Sequence, residues 1–234
     1  MDRAEEFIQL FNRVEKFISD LVGPKNFRPF AQLVDAASAS NAAVCANKND
    51  LKQFAMLRNA IIHDADYPSQ IIATPSHEAL QRFKGIAHQV MEPTPLIPTF
   101  ATQVHCFTPV DTLPTALSFM RENDFSQVVV RGRDQRLTMI TVEGITKWLA
   151  GNMKDKNSLS NVILDCVLLL EPPGCFKIMG PDESIFDAAD AFTNSIHHEA
   201  TRLYAIVISE NGVDSGQPIG FVTPWDLVYN PNLH

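Results

Sequence analysis

Two stretches of this chain, 72 residues apart, carry one pattern, and a repeat constrains a fold more than any single motif. Pro109-Val110-Asp111-Thr112-Leu113-Pro114-Thr115-Ala116 lies over Pro181-Asp182-Glu183-Ser184-Ile185-Phe186-Asp187-Ala188. Further on, Met139-Ile140-Thr141 lies over Phe221-Val222-Thr223 at an offset of 82, so the second copy carries ten extra residues. Their expected places are its helix–strand loop and its hairpin, where Asn211-Gly212 signals a turn. Gln127–Val130 and Tyr204–Ile208 are β-branched runs, and each copy reads strand, helix, strand, strand, helix. The sheet of one copy is too small to cover its own apolar face, so the two copies are expected to pack together.

The second copy closes on Gly220-Phe221-Val222-Thr223-Pro224-Trp225-Asp226. An apolar strand delivers a hydroxyl and a carboxylate, three residues apart, to the first turn of a helix. Free N–H groups and partial positive charge make that end a place for phosphate. The carboxylate can take hydrogen bonds from both hydroxyls of a ribose. A plainer reading needs no ligand: Thr223 as N-cap, Pro224 at the first helical position, Asp226 in the first turn.

The duplicated unit with its Gly-x-x-Thr-x-x-Asp ending resembles the cystathionine-β-synthase (CBS) domain over roughly residues 100–230. CBS domains occur in pairs that bind adenosine-containing ligands, and the resemblance implies a cofactor-like regulatory adenine nucleotide (AMP, ADP or ATP) with no metal. It assigns phosphate and ribose to Thr223 and Asp226, and adenine to the strands at Tyr204-Ala205-Ile206 and Lys177-Ile178. The first copy departs from the pattern: Gly220 becomes Thr138 and Asp226 becomes Gly144, while Thr141 survives. An unequal pair follows, with the second site binding and the first weak or empty, and Gly144→Asp is expected to strengthen the first. Arg131, Arg133 and Arg202 are candidates to neutralise phosphates, against a plain role as surface arginines.

The first 88 residues are of another kind. Leu10, Phe11, Val14, Phe17, Ile18 and Leu21 recur at helical spacing. Past Pro24 and Pro29 a second helix holds Phe30, Leu33, Val34 and Ala37; a third runs from Asn49 or Asp50 through Leu51, Phe54, Leu57, Ile61 and Ile62. A fourth starts near Ser76 and carries Leu80, Phe83 and Ala87. The expected class is therefore α+β: an all-α bundle over 1–88, a proline-rich linker over 89–103, then a tandem CBS (βαββα)2 module. Its parts are repeat 1 (104–150), a connector (151–175) and repeat 2 (176–234).

On the third helix, Arg58-Asn59 and His63 place a polar stripe on a packing surface. In a small bundle this resembles the HEPN superfamily, whose Arg-polar-x-x-x-His motif matches these residues. The order that follows, Tyr67-Pro68, an extended Ile71-Ile72 and a further helix, looks like HEPN-type domains attached to CBS pairs. Many HEPN proteins are metal-independent ribonucleases working across a dimer interface. That implies His63 as general acid or base, Arg58 stabilising the anionic transition state and Asn59 orienting them. Residues 25–58 hold Lys25, Arg28, Lys48, Lys52 and Arg58 against Asp35 and Asp50, a local basic excess suited to RNA. The alternative is structural, with Asn59 and His63 bonding across a homodimer or capping the helix, and Arg58 paired to Asp64 or Asp66.

Composition narrows the rest. A net charge of −8 argues against a general nucleic-acid binder, and no apolar run approaches a membrane span. Without a basic-then-apolar start, and with Cys45, Cys106, Cys166 and Cys175 scattered, the chain reads as cytoplasmic with reduced thiols and no zinc site. The adjacent His197-His198 point about 100° apart on a helix and do not converge on a metal. Asp124, Asp134 and Asp214 fall in turns. No phosphate-loop or nucleophile-elbow motif occurs. Three readings are ordered accordingly: a sensor whose CBS pair binds an adenosyl ligand and informs the helical domain; a ribonuclease gated by that ligand; a dimerisation module with a decayed site. Both resemblances imply a homodimer.

Overall fold

The computed structural model describes residues 2–23, 28–62, 73–152, 159–198, 202–230 and 233. The chain divides into two units, Met1–Thr94 and Pro95–His234.

The first unit is helical: α1 (Arg3–Val22), α2 (Phe30–Ala37), α3 (Ala42–Ala46), α4 (Lys48–Ile61) and α5 (His77–Met91). In α1 the residues at helical spacing, Phe7, Phe11, Val14 and Ile18, are buried, and Glu5 and Glu6 sit in the first turn, where the helix end is positive. Ser76 caps α5, its hydroxyl accepting the Ala79 N–H at 3.1 Å, where the sequence places that helix start. Five phenylalanines knit the core, with Phe83 centred 4.9 Å from Phe7 and 4.8 Å from Phe54. Burying one such ring contributes about 1.5–3 kcal/mol. The outer limit of the α1 stripe differs from expectation: Leu21 is 44% exposed. Helix α3 was not expected; Asn41 starts it by accepting the Val44 N–H at 2.9 Å.

In the second unit α6 (Leu96–Thr99) precedes β1 (Cys106–Phe107), α7 (Leu113–Asn123), β2 (Gln127–Arg131), β3 (Leu137–Thr141) and α8 (Val142–Asn152). A 3-10 turn (Leu159–Asn161) and α9 (Leu164–Leu168) follow. Then come β4 (Phe176–Met179), α10 (Ile185–His198), β5 (Ala205–Ser209), β6 (Pro218–Val222) and α11 (Pro224–Val228). Each repeat forms its own three-stranded sheet in which the first two strands are parallel and the last two antiparallel.

Register locates the ten inserted residues. Val129 pairs with Met139, and Val207 pairs with Phe221. The offset thus grows from 72 at the strand–helix turn to 78 across the middle strands and 82 after the hairpin. Six residues enter with the longer α10 and its following loop; four enter in the β5–β6 hairpin, which also carries a register shift at Ile208/Ser209.

Alternation along β2 explains why the sheets need each other. Val128 and Val130 face Phe107, Leu113 and Ala116 on the helical side. Val129, with Leu137 and Met139, packs against Ala205 and Val207 of the second sheet. Both faces are covered, so the strands read as continuous apolar runs.

The segment expected to be a linker is divided between elements. Helix α5 takes residues as far as Met91, and from Pro95 the chain folds onto repeat 2. Proline lacks an N–H, but Leu96 and Ile97 keep theirs and donate to the Glu183 and Pro181 carbonyls at 2.7 and 3.1 Å. Leu96 is fully buried, and Ala101 bridges Gly220. The connector is likewise part of a core: Val162, Leu164 and Val167 lie among the repeat 1 side chains.

Candidate functional site

Thr223 ends the strand-to-helix junction of repeat 2 and caps α11. Its backbone N–H and its hydroxyl both donate to Asp226 Oδ2, at 2.7 and 2.6 Å. The expected N-cap geometry is therefore present, and it leaves Asp226 Oδ1 without a partner among the described residues. Helix α11 has only five residues, so the dipole available to an anion is small.

These two residues line one wall of a cleft of about 540 Å³. The opposite walls come from residues 100–105 and from repeat 1, where Asp124, Phe125 and Gln127 follow α7. Asp124 holds φ 56°, the left-handed conformation that aspartate tolerates better than most residues. Aromatic rings supply much of the surface: His105 is centred 4.9 Å from Phe119, and Phe119 lies 5.9 Å from Phe125. Trp225 and Phe125 are 68% and 51% exposed, large apolar surfaces held open beside the cleft. Gly220 is required here by packing. A Cβ on it would stand 2.6 Å from the Phe100 carbonyl oxygen, so the wall at residues 97–101 closes only on glycine.

The strand residues assigned to adenine lie elsewhere. Ala205 is in the intersheet core and Ile206 is fully buried. Tyr204 reaches the junction of repeat 1: its hydroxyl donates to Glu143 Oε2 at 2.9 Å, and the Arg202 guanidinium sits 4.9 Å from its ring centre. Lys177 and Ile178 pair with Ile206 and Val207 along β4 and β5, and none of these residues lines the cleft beside Thr223. The expected site residues thus fall into two groups: Thr223 and Asp226 facing strands of repeat 1, and Tyr204 and Arg202 beside Thr141.

At that second junction sequence reasoning missed a residue. Thr141 is fully buried; its N–H donates to Glu171 Oε1 and its hydroxyl to Oε2, each at 2.8 Å. The hydroxyl also accepts the Gly144 N–H at 3.2 Å. Glu171, 30 residues along the chain, supplies the carboxylate that Gly144 lacks, and a Cβ on Gly144 would fall on it. Gly144→Asp would have to displace the Glu171 carboxylate before it could strengthen this site. Burial raises the Glu171 pKa, with the neighbouring Glu143 adding to the rise against the Thr141 hydrogen bonds. Glu143 is lowered by its bond to Lys147 and then by Tyr204, while burial and Glu143 raise Tyr204. Burial and Glu171 push the Cys175 thiol up to about 11.

The arginines offered for phosphate are engaged differently. Arg131 donates to the Gln135 and Gly216 carbonyls at 2.8 and 2.9 Å, and Arg133 pairs with Asp165 at 2.9 Å.

In the helical unit Arg58 Nη1 donates to Asn59 Oδ1 at 3.4 Å. His63, Asp64, Asp66, Tyr67-Pro68 and Ile71-Ile72 lie outside the described residues, as does Lys25. The basic excess is locally compensated: Lys48 and Lys52 both reach Asp35, at 2.8 and 2.7 Å, and Arg82 reaches Asp50. Those two lysines lower the Asp35 pKa. Among the described residues no cluster of three or more His, Cys, Asp and Glu could hold a metal, and no helix is long and apolar enough to cross a membrane.

No protein-family description and no curated protein matches the sequence. Among solved structures the chain is similar to hypoxic response protein I with two coordinated zinc ions: 18% identity over 59% of this chain and 100% of that one, TM-score 0.42. It is similar to CBSX2 in complex with AMP at 14% identity, covering 58% and 89%, TM-score 0.39. It is also similar to the CBS domain of a CBS-domain-containing membrane protein from Sphaerobacter thermophilus at 18%, covering 64% and 94%, TM-score 0.44.

Proposed function

We propose that residues 95–234 form a CBS-like regulatory module whose open cleft takes an adenosine-containing small molecule, and that occupancy is relayed to the helical unit. The observation that carries this reading is the free Asp226 Oδ1 at the rim of an aromatic-lined cleft. Each carboxylate oxygen accepts about two hydrogen bonds. Thr223 uses both positions of Oδ2, so Oδ1 retains capacity for the two hydroxyls of one ribose. Exposed Trp225 and Phe125 offer faces against which a purine can stack.

Thr141 is the lesser partner in this reading. With its hydroxyl and N–H bound to Glu171, the repeat 1 junction is closed by the protein's own side chain, and the unequal pair arises from occupation rather than from a missing carboxylate.

Calorimetric titration of the full chain with adenosine, AMP, ATP, NAD and S-adenosylmethionine tests the proposal. A true ligand at a hundred times its Kd adds about 2.7 kcal/mol of stability. Asp226→Ala is expected to remove binding while costing the cap about 1 kcal/mol. Absence of binding by all five at millimolar concentration sinks the reading.

A further inference from the structure

The charges around the cleft sort its ligands. Two carboxylates, Asp124 and Asp226, line it from opposite repeats, and no lysine or arginine does so among the described residues. Arg131, Arg133 and Arg202, the nearest candidates by sequence, are held by Gly216, Asp165 and the Tyr204 ring. The donor expected to meet a phosphate is also spent. An ionised carboxylate only accepts, so in the 2.6 Å contact the proton between Thr223 Oγ1 and Asp226 Oδ2 is donated by the threonine. Toward a ligand that hydroxyl offers lone pairs, which repel a phosphate oxygen. The five-residue α11 is too short to offset this.

We infer that the cleft selects a nucleoside whose 5′ substituent is neutral or positively charged, and discriminates against nucleoside di- and triphosphates. This deepens the proposed function and rests on it. The ribose diol is held by Asp226 Oδ1, the base by the rings of Trp225, Phe125 and His105, and the 5′ substituent enters a field set by Asp124 and Asp226. A phosphate chain brings like charge within a Debye length of both carboxylates, whereas a sulfonium or amine brings opposite charge.

The experiment is a titration of the full chain with adenosine, S-adenosylmethionine and ATP at low and at high salt. Adenosine and S-adenosylmethionine are expected to bind at least about tenfold more tightly than ATP, the scale of one unscreened like-charge contact in a partly buried site. Salt separates this from shape. ATP binding should strengthen as salt rises, because repulsion is screened, while S-adenosylmethionine binding should weaken. Asp124→Asn keeps the left-handed backbone and the size of the side chain, and should narrow the gap between adenosine and ATP severalfold. ATP binding as tightly as adenosine, or a gap that Asp124→Asn leaves unchanged, overturns the inference and leaves the adenosine site standing. Failure of all three ligands to bind removes the site itself, and the inference with it.

Discussion

Thr141 and Thr223 end equivalent strands, and each gives its backbone N–H and its hydroxyl to a single carboxylate. They differ in where the carboxylate comes from. Asp226 is three residues away on a short tether, so one oxygen serves both donors and the other stays available. Glu171 arrives from 30 residues on with a longer side chain, places one oxygen on each donor and fills the space above Gly144. The same local demand, two donors at a strand end, is met twice, and the choice of tether decides whether a cleft stays open. The two junctions differ in accessibility while both satisfy the threonine N–H and hydroxyl.

Removing Glu171 should give the largest effect. Glu171→Ala strands the buried Thr141 N–H and hydroxyl, and the loss of two charge-assisted bonds predicts a cost of about 3 kcal/mol. Chemical denaturation of the full chain measures it. Gly144→Asp in that background supplies a carboxylate where repeat 2 has one, so the double variant should recover more than half of the loss. Gly144→Asp alone should destabilise by about 1–2 kcal/mol, since two carboxylates then compete for one pair of donors. If the double variant is no better than Glu171→Ala, the two junctions are not equivalent in the way their bonds imply.

Much of this was legible beforehand and part was not, for identifiable reasons. The duplication, the five-part order of strands and helices in each copy and the Thr223–Asp226 cap follow from local patterns, because a strand's burial and a helix's first turn are written in adjacent residues. Glu171 was not legible: no spacing rule ties it to Thr141, and its segment read as a connector. The partition of site residues was missed for a related reason. Tyr204 and Asp226 lie in one repeat by sequence, yet packing of the sheets face to face sets Tyr204 on Glu143 and Asp226 across from Asp124. The prolines of 93–98 correctly announce an end to helix, but nothing in them tells that Leu96 and Ile97 would find carbonyl partners on repeat 2.

Glycine and threonine at the matched positions 220 and 138 offer the next test. Gly220→Val forces a side chain against the Phe100 carbonyl, a backbone atom that cannot rotate aside, and should cost about 1–3 kcal/mol and narrow the cleft. Thr138→Val, at the counterpart, should change stability by less than about 0.5 kcal/mol, the usual scale for a partly exposed position. Equal effects at the two sites would show that the 97–101 segment does not depend on Gly220.

The smallest effect probes the carboxylate of the closed junction by pH. Glu171 has a folded pKa raised above its ordinary value of 4.5, mainly by burial, so the folded state holds its proton more firmly than the unfolded chain does. The sign follows from linkage: this contribution is fully present below about pH 4.5, and it is lost as pH rises through the raised pKa. Wild-type stability should therefore carry a downward slope over that interval, superimposed on the opposite slopes from lowered groups such as Asp35 and Glu143. Glu171→Gln removes this one contribution. Subtracting its stability curve from that of the wild type should isolate a term that declines with rising pH and levels off above the raised pKa. A difference that is flat, or that climbs with pH, would mean the Thr141 hydrogen bonds outweigh burial.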